Sequence, residues 1–384
     1  MLKPINKTVF TIMWCVLVSV TLAESALARS YAQIDQERRH VDIVIALDVS
    51  GSMSGLISSA KQRLWDVINE LGRAQPQPEL RLAILSYGNP SYGAASGFVR
   101  IDLPFTSDLD AVNETLFGFG TSGGDEYVAR VATTAINELD WSDDADALKI
   151  LFIAGNEAAD QDPQISIARA AQAAVENGII INSIYCGEDN DGVAAGWRSV
   201  AALTQGLYAS IDQNSATVAN IASPMDEELA QLNAELNGTY LAYGQDADRY
   251  RANQMAQDEN AYSMSPSAAA SRTVTKAGRL YDNAEWDIVD ALKSGADLEE
   301  FETENLPAEM QAMNKKEREE YVSQYAQKRD VIQNRISELD KDRRVYIANE
   351  RAKQTEAGAK GLDEVMQEGL RSIAEAKGFT FDDQ

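Results

Sequence analysis

The chain has 384 residues, 45% of them hydrophobic and 24% charged, which is enough to bury one large core or two modest ones. Sixty acidic residues against 34 Lys and Arg set the formal charge at −26, and no local basic run offsets it, which argues against a cationic groove for nucleic acid. The single histidine also makes Ser–His hydrolysis a poor reading.

Residues 1–28 read as a secretory signal peptide. Lys3 and Lys7 precede an apolar stretch from Val9 to about Leu22, and Ala26-Leu27-Ala28 supplies a small-residue cleavage site. Export to the periplasm, or secretion to the cell surface, is the expectation. Cys15 leaves with the signal, so Cys186 is the only cysteine of the mature chain and no intrachain disulfide is expected.

From Asp42 to about Ile211 short apolar runs alternate with amphipathic segments, the pattern of a mostly parallel sheet flanked by helices. The spacing predicts strands at 41–48, 80–87, 98–103, 148–154, 179–185 and 207–211. Helices are predicted at 55–73, 108–117, 125–139, 163–177 and 193–205. The turn-rich stretch 88–97 joins two strands without a helix, so the third strand is expected to be an antiparallel edge. The fold class is therefore α/β, doubly wound and Rossmann-like, with six strands.

The first strand runs directly into Asp48-Val49-Ser50-Gly51-Ser52. That order sets one carboxylate and two hydroxyls in a tight loop at the carboxyl end of a buried strand, where open α/β sheets gather their ligands. Oxygen donors of this kind suit a hard cation such as Mg²⁺. The simpler use of Asp48 and Ser50 is to cap the following helix. In residue type, spacing and context the loop resembles the metal-ion-dependent adhesion site of von Willebrand factor A domains, and the resemblance covers about residues 40–213.

The resemblance implies ligands from three loops. The second usually gives a threonine; here Thr121-Ser122-Gly123-Gly124-Asp125-Glu126 opens a helix and sets Asp125 in that slot, with Thr121 as the fallback. The third usually gives an aspartate after the fourth strand, where this chain has Asn156. An amide oxygen brings no charge, so Asp125 is expected to restore what Asn156 loses, with Glu157 or Asp160 as other sources of charge. The implied metal set is thus Asp48, Ser50, Ser52, Asp125, Thr121 and Asn156, holding Mg²⁺, or Mn²⁺ or Ca²⁺.

Other motifs carry less. Gly118-Phe119-Gly120-Thr121-Ser122-Gly123 spells a dinucleotide signature but follows a helix where the signature needs a strand. His40 lies before the first strand, at its end remote from Ser50, and Cys186 reads as a buried core thiol.

After Ile211 the composition turns to Ala, Glu, Gln, Lys and Arg, and 214–384 reads as a mainly α-helical C-terminal region. Residues 216–236 are expected to be helical with a break near Pro224. Thr239–Gly244 reads as a brief extended piece returning to the sheet domain, and 245–271 as a loose helix and linker. A packed helix is predicted over 273–294. A capping box at Asn314–Glu317 opens a long helix to about 355, whose stripe Val322, Tyr325, Ile332, Ile336, Leu339 and Tyr346 keeps a heptad register. Packing against helix 273–294 is the preferred use of that stripe; a coiled-coil homodimer is the other. The tail 358–377 is a further amphipathic helix.

These readings lead to an exported interaction module that binds the acidic side chain of a protein partner through the metal, with no small-molecule substrate and no enzymatic activity. The alternative is an envelope scaffold with a vestigial metal site, its assembly carried by the C-terminal helices.

Overall fold

A computed structural model describes residues 39–211, 221–354 and 362–381; the predicted signal peptide lies outside the described residues. Six strands form one sheet: β1 (Arg39–Asp48), β3 (Pro78–Tyr87), β4 (Val99–Thr106), β5 (Leu148–Gly155), β6 (Ile179–Tyr185) and β7 (Tyr208–Ser210), in the order β4-β3-β1-β5-β6-β7. The pairs β1–β5, β5–β6 and β6–β7 are parallel, while β4 runs antiparallel to β3 at the edge. The short β2 (Ala74–Gln75) lies outside this sheet. The predicted strands and the antiparallel edge are therefore found, with ends shifted by up to three residues.

Alternation along each central strand assigns its two faces. Ile43, Ile45 and Leu47 of β1 point into one core with Ile150 and Phe152 of β5, whereas Val44 and Ala46 join Leu151 and Ile153 in the other. Helices α3 (Val128–Glu138), α4 (Ile167–Glu176) and α5 (Ala194–Ala202) cover the second face. The first face is covered by α1 (Ser54–Gly72), α2 (Leu109–Phe117) and helices that follow the sheet in sequence.

Those later helices are α6 (Asp226–Asn237), α7 (Ala247–Met264), α8 (Pro266–Ala277), α9 (Ile288–Lys293), α10 (Ala308–Gln311), α11 (Lys315–Gln354) and α12 (Leu362–Ala376). Three expectations for this region need correction. The predicted linker at 245–271 is two regular helices; Ser265 caps α8 by accepting from the Ala268 amide, and Pro266 fits its first turn because no N–H is needed there. The predicted helix 273–294 stops at Gly278 and resumes only as α9, capped by Asp287. The extended piece near Ala242 bridges Asp287 instead of returning to the sheet. Residues 216–220 of the predicted helix 216–236 lie outside the described residues.

The stripe on α11 is spent inside the chain. Ile332, Ile336 and Leu339 share a core with Ile43, Leu64 and Phe152, and Val322 packs with Leu241 and Ile288. Arg329, at 1% exposure of its side chain, fills the stripe position that breaks the apolar register. Its guanidinium donates to Asp287 at 2.6 Å, Asp290 at 2.8 Å and the Thr239 carbonyl at 2.7 Å. At the C-terminus β8 (Thr380–Phe381) pairs antiparallel with β2. The described residues from His40 onward belong to one compact unit. No described helix is long and apolar enough to cross a membrane.

Candidate metal centre

β1 is central in the sheet, and it delivers Asp48 to the carboxyl edge with no solvent exposure. The chain then turns sharply. The Ser50 amide donates to Asp48 Oδ1 at 2.7 Å, and the Met53 amide to the Ser50 carbonyl at 3.1 Å, closing a 3₁₀ turn that leads into α1. Met53, fully buried, pins the turn to the core. The hydroxyls of Ser50 and Ser52 come within 3.2 Å of each other.

The third loop enters at Asn156, just past β5. Its amide nitrogen donates to Ser52 Oγ at 3.0 Å, and Ser52 Oγ lies 3.3 Å from its Oδ1. Two contacts hold this loop: Trp197 Nε1 donates to the Glu157 carbonyl at 2.8 Å, and the Cys186 amide to the Gly155 carbonyl at 2.8 Å. Asp48, Ser50, Ser52 and Asn156 therefore lie together at the carboxyl edge of the sheet.

The second loop differs from expectation. Thr121 and Asp125 are both exposed, and Asp125 takes a long contact, 3.4 Å, from the Tyr127 hydroxyl. The carboxylate turned inward is Glu126, which the sequence reading passed over and which is 7% exposed. Gly124 explains the choice: a Cβ there would stand 2.7 Å from the Gly88 carbonyl and 2.8 Å from Pro90 Cδ, so the loop lies flat against residues 88–90. The Ser122 amide adds a bond to the Val49 carbonyl at 2.9 Å. No local signal in the sequence marks Glu126, because it lies in an irregular loop before α3 where neither a strand nor a helix period assigns it a face.

Glu126 meets Asp48 and the Ser50 side chain, with Gly88 close against both carboxylates. Gly88 has φ of 83°, and a Cβ on it would lie 2.9 Å from Asp48 Oδ1 and 3.0 Å from Glu126 Cγ. Burial raises the Asp48 carboxyl above its ordinary range, opposed by the adjacent Glu126 carboxyl and by the Ser50 amide. Burial, then the neighbouring Asp48 carboxylate, pushes Glu126 up to about 9. Asp48 Oδ2 and Glu126 Oε2 are both buried and lack any hydrogen-bond donor. Two carboxylates so placed need a shared proton or a cation between them.

The residues fit a hard divalent ion. Orphaned carboxylate oxygens, two hydroxyls and an amide oxygen match the oxygen-donor preference of Mg²⁺, Mn²⁺ or Ca²⁺. The second carboxylate beside Asp48 is Glu126, while Asp125, expected in that place, is exposed. No group of three or more His, Cys, Asp or Glu among the described residues can hold a metal, so any ion here depends on the serine hydroxyls.

Cys186 is buried and unbridged, and burial raises its thiol, which makes it a core residue and not a nucleophile.

No protein-family model matches the sequence, and no curated protein matches it. Among solved structures, proximal thread matrix protein 1 from the mussel byssus with a zinc-occupied MIDAS motif aligns at 12% identity and a TM-score of 0.38. That alignment covers 48% of this chain and 44% of that one, less than half of each. The von Willebrand factor A domain of SpRpn10 aligns at 14% identity and a TM-score of 0.35, covering 44% of this chain and 87% of that one. Both likenesses are distant. The strand order, the antiparallel edge and an Asp-x-Ser-x-Ser loop at the end of the central strand make the fold of the sheet region similar to that of von Willebrand factor A domains, followed by a helical C-terminal region.

Proposed function

We propose that the protein is an exported, non-catalytic interaction module that captures the acidic side chain of a protein partner at a divalent cation. Asp48, Ser50, Ser52 and Glu126 hold the ion directly or through water, and Asn156 braces Ser52. The ion, Mg²⁺, Mn²⁺ or Ca²⁺, supplies an electrophilic position that a partner's carboxylate occupies. One observation carries the reading: two buried carboxyl groups, Asp48 and Glu126, each keep an oxygen with no donor. A protein without use for a cation would gain by replacing one of them with an amide.

Calorimetric titration of the purified protein with Mg²⁺ and Mn²⁺ tests this, with Asp48→Ala as control. Saturable heat that disappears in the variant supports the site. Silence in the parent chain rejects it and favours the scaffold reading. That rival has its own support, since the Ser50–Ser52 and Ser52–Asn156 contacts already satisfy the two hydroxyls without an ion.

A further inference from the structure

Away from the cation site, three of the later helices bring an amine, a carboxamide and a carboxylate together. Asn237 ends α6, Asp258 lies within α7, and Lys276 is in the last turn of α8. Lys276 is 1% exposed, because the face of α8 that carries it is turned into the protein. Its Nζ stands 5.9 Å from the ring centre of Tyr240, which is itself buried and stacked on Trp286.

The contacts close a triangle. Lys276 Nζ donates to Asn237 Oδ1, and to Asp258 Oδ2 at 2.8 Å. Asn237 Nδ2 donates to the same Asp258 Oδ2, also at 2.8 Å. The amide orientation follows from this, since an ionised carboxylate only accepts. Arg272 Nε holds the other oxygen, Oδ1, at 3.0 Å. One carboxylate oxygen therefore touches both the amine and the amide nitrogen, the two atoms between which protons must pass if the amine displaces the amide. Burial lowers the Lys276 ammonium to about 8, so an appreciable fraction is the free amine near neutral pH. A desolvated lysine held against a carbonyl group is an activated nucleophile, and fixed proximity replaces a bimolecular encounter.

We propose that Lys276 and Asn237 join in an intramolecular isopeptide bond, with Asp258 as the catalytic carboxylate. Asp258 takes a proton from Nζ, and the freed lone pair attacks Asn237 Cγ. The Cγ–Nδ2 bond then breaks, and Nδ2 leaves as ammonium with the two protons that Nζ gives up, relayed by Asp258. One C–N bond forms and one breaks, with no oxidation and no co-reactant. The product keeps an N–H for Asp258 and removes a buried ammonium, while Arg272 stays beside the carboxylate.

Mass spectrometry of the purified full chain tests this. The parent chain is expected to weigh one ammonia less than its sequence, and its tryptic digest to contain a branched peptide joining Asn237 to Lys276. Asn237→Ala is expected to have the full sequence mass. Asp258→Asn keeps both reacting groups and is expected to stay unlinked as well, whereas Asp48→Ala, which removes a cation ligand, is expected to keep the bond. A parent chain at its full sequence mass overturns the proposal, whatever the variants do. Loss of ammonia without the branched peptide overturns it too, because Asn237 precedes Gly238 and would then have closed on its own backbone as a succinimide. A bond that persists in Asp258→Asn overturns the role of Asp258.

Discussion

Asp125 and Glu126 are neighbours with opposite fates, and their difference is the most direct test of the metal centre. Glu126→Gln keeps the shape but removes the charge, so Mn²⁺ affinity is expected to fall at least ten-fold in calorimetry, while Asp125→Asn leaves it unchanged. Equal loss in both variants would move the ligand back to the exposed position. Gly88→Ala is expected to destabilise the fold by about 1–3 kcal/mol, read as a lower denaturant midpoint. The φ of 83° disfavours any side chain, and the new methyl group would meet Asp48 and Glu126.

Asp258 offers a pH test at the same scale. Arg272 lies 3.0 Å from its Oδ1 and Lys276 2.8 Å from its Oδ2, and together they draw its carboxyl down to about 2 against the cost of burial. Lys276 has one such partner, and Arg272 opposes its charge, so burial prevails and lowers its ammonium to about 8. A carboxyl lowered on folding adds stability that is complete above its unfolded value near 4 and is lost as pH falls toward 2. The contribution is about 2 kcal/mol. Asp258→Asn should therefore flatten the fall in stability between pH 4 and 2 measured by denaturant titration. An unchanged acid limb would refute the assignment.

At the scale of elements, α11 acts as a clamp. Ile336 is fully buried among residues of the sheet and α1, so Ile336→Ala should cost about 2–4 kcal/mol. Arg329→Met poses a sharper question, because it leaves Asp287 and Asp290 buried together without their cation. A loss of about 3–5 kcal/mol is expected, more than a methylene count predicts. Asp290 already feels Asp287: burial, then that carboxylate, pushes it up to about 6 even with Arg329 present. A loss no larger than that of Ile336→Ala would mean that the ion network adds little.

At the scale of the whole molecule, one hydrophobic cluster runs from Val41 of β1 through Leu229 of α6 and Ile336 of α11 to Leu370 of α12. Shared burial of this kind makes the sheet and the later helices unfold together. A single calorimetric transition with equal calorimetric and van't Hoff enthalpies is expected for the intact chain. Two separated transitions would show that the helices form an independent unit.

Much of this architecture was legible in the sequence, because the sheet strands announce themselves by local pattern. Apolar runs bounded by turn residues mark β1, β5 and β6, and the Asp48–Ser52 loop is placed by following β1 directly. Strand parity and the 3.6-residue period are properties of the backbone, independent of what packs on it. Helices α7 and α8 were harder. Their buried positions include Gln254, Gln257, Ser271, Arg272 and Lys276, polar residues whose partners lie far along the chain. The inward turn of Glu126 depends on Gly124 lying against Gly88, a contact across 36 positions. Local pattern determined the sheet strands and the placement of Asp48, Ser50 and Ser52 in the candidate site. Tertiary structure decided which carboxylate faces Asp48, because that follows from a contact between segments distant in sequence.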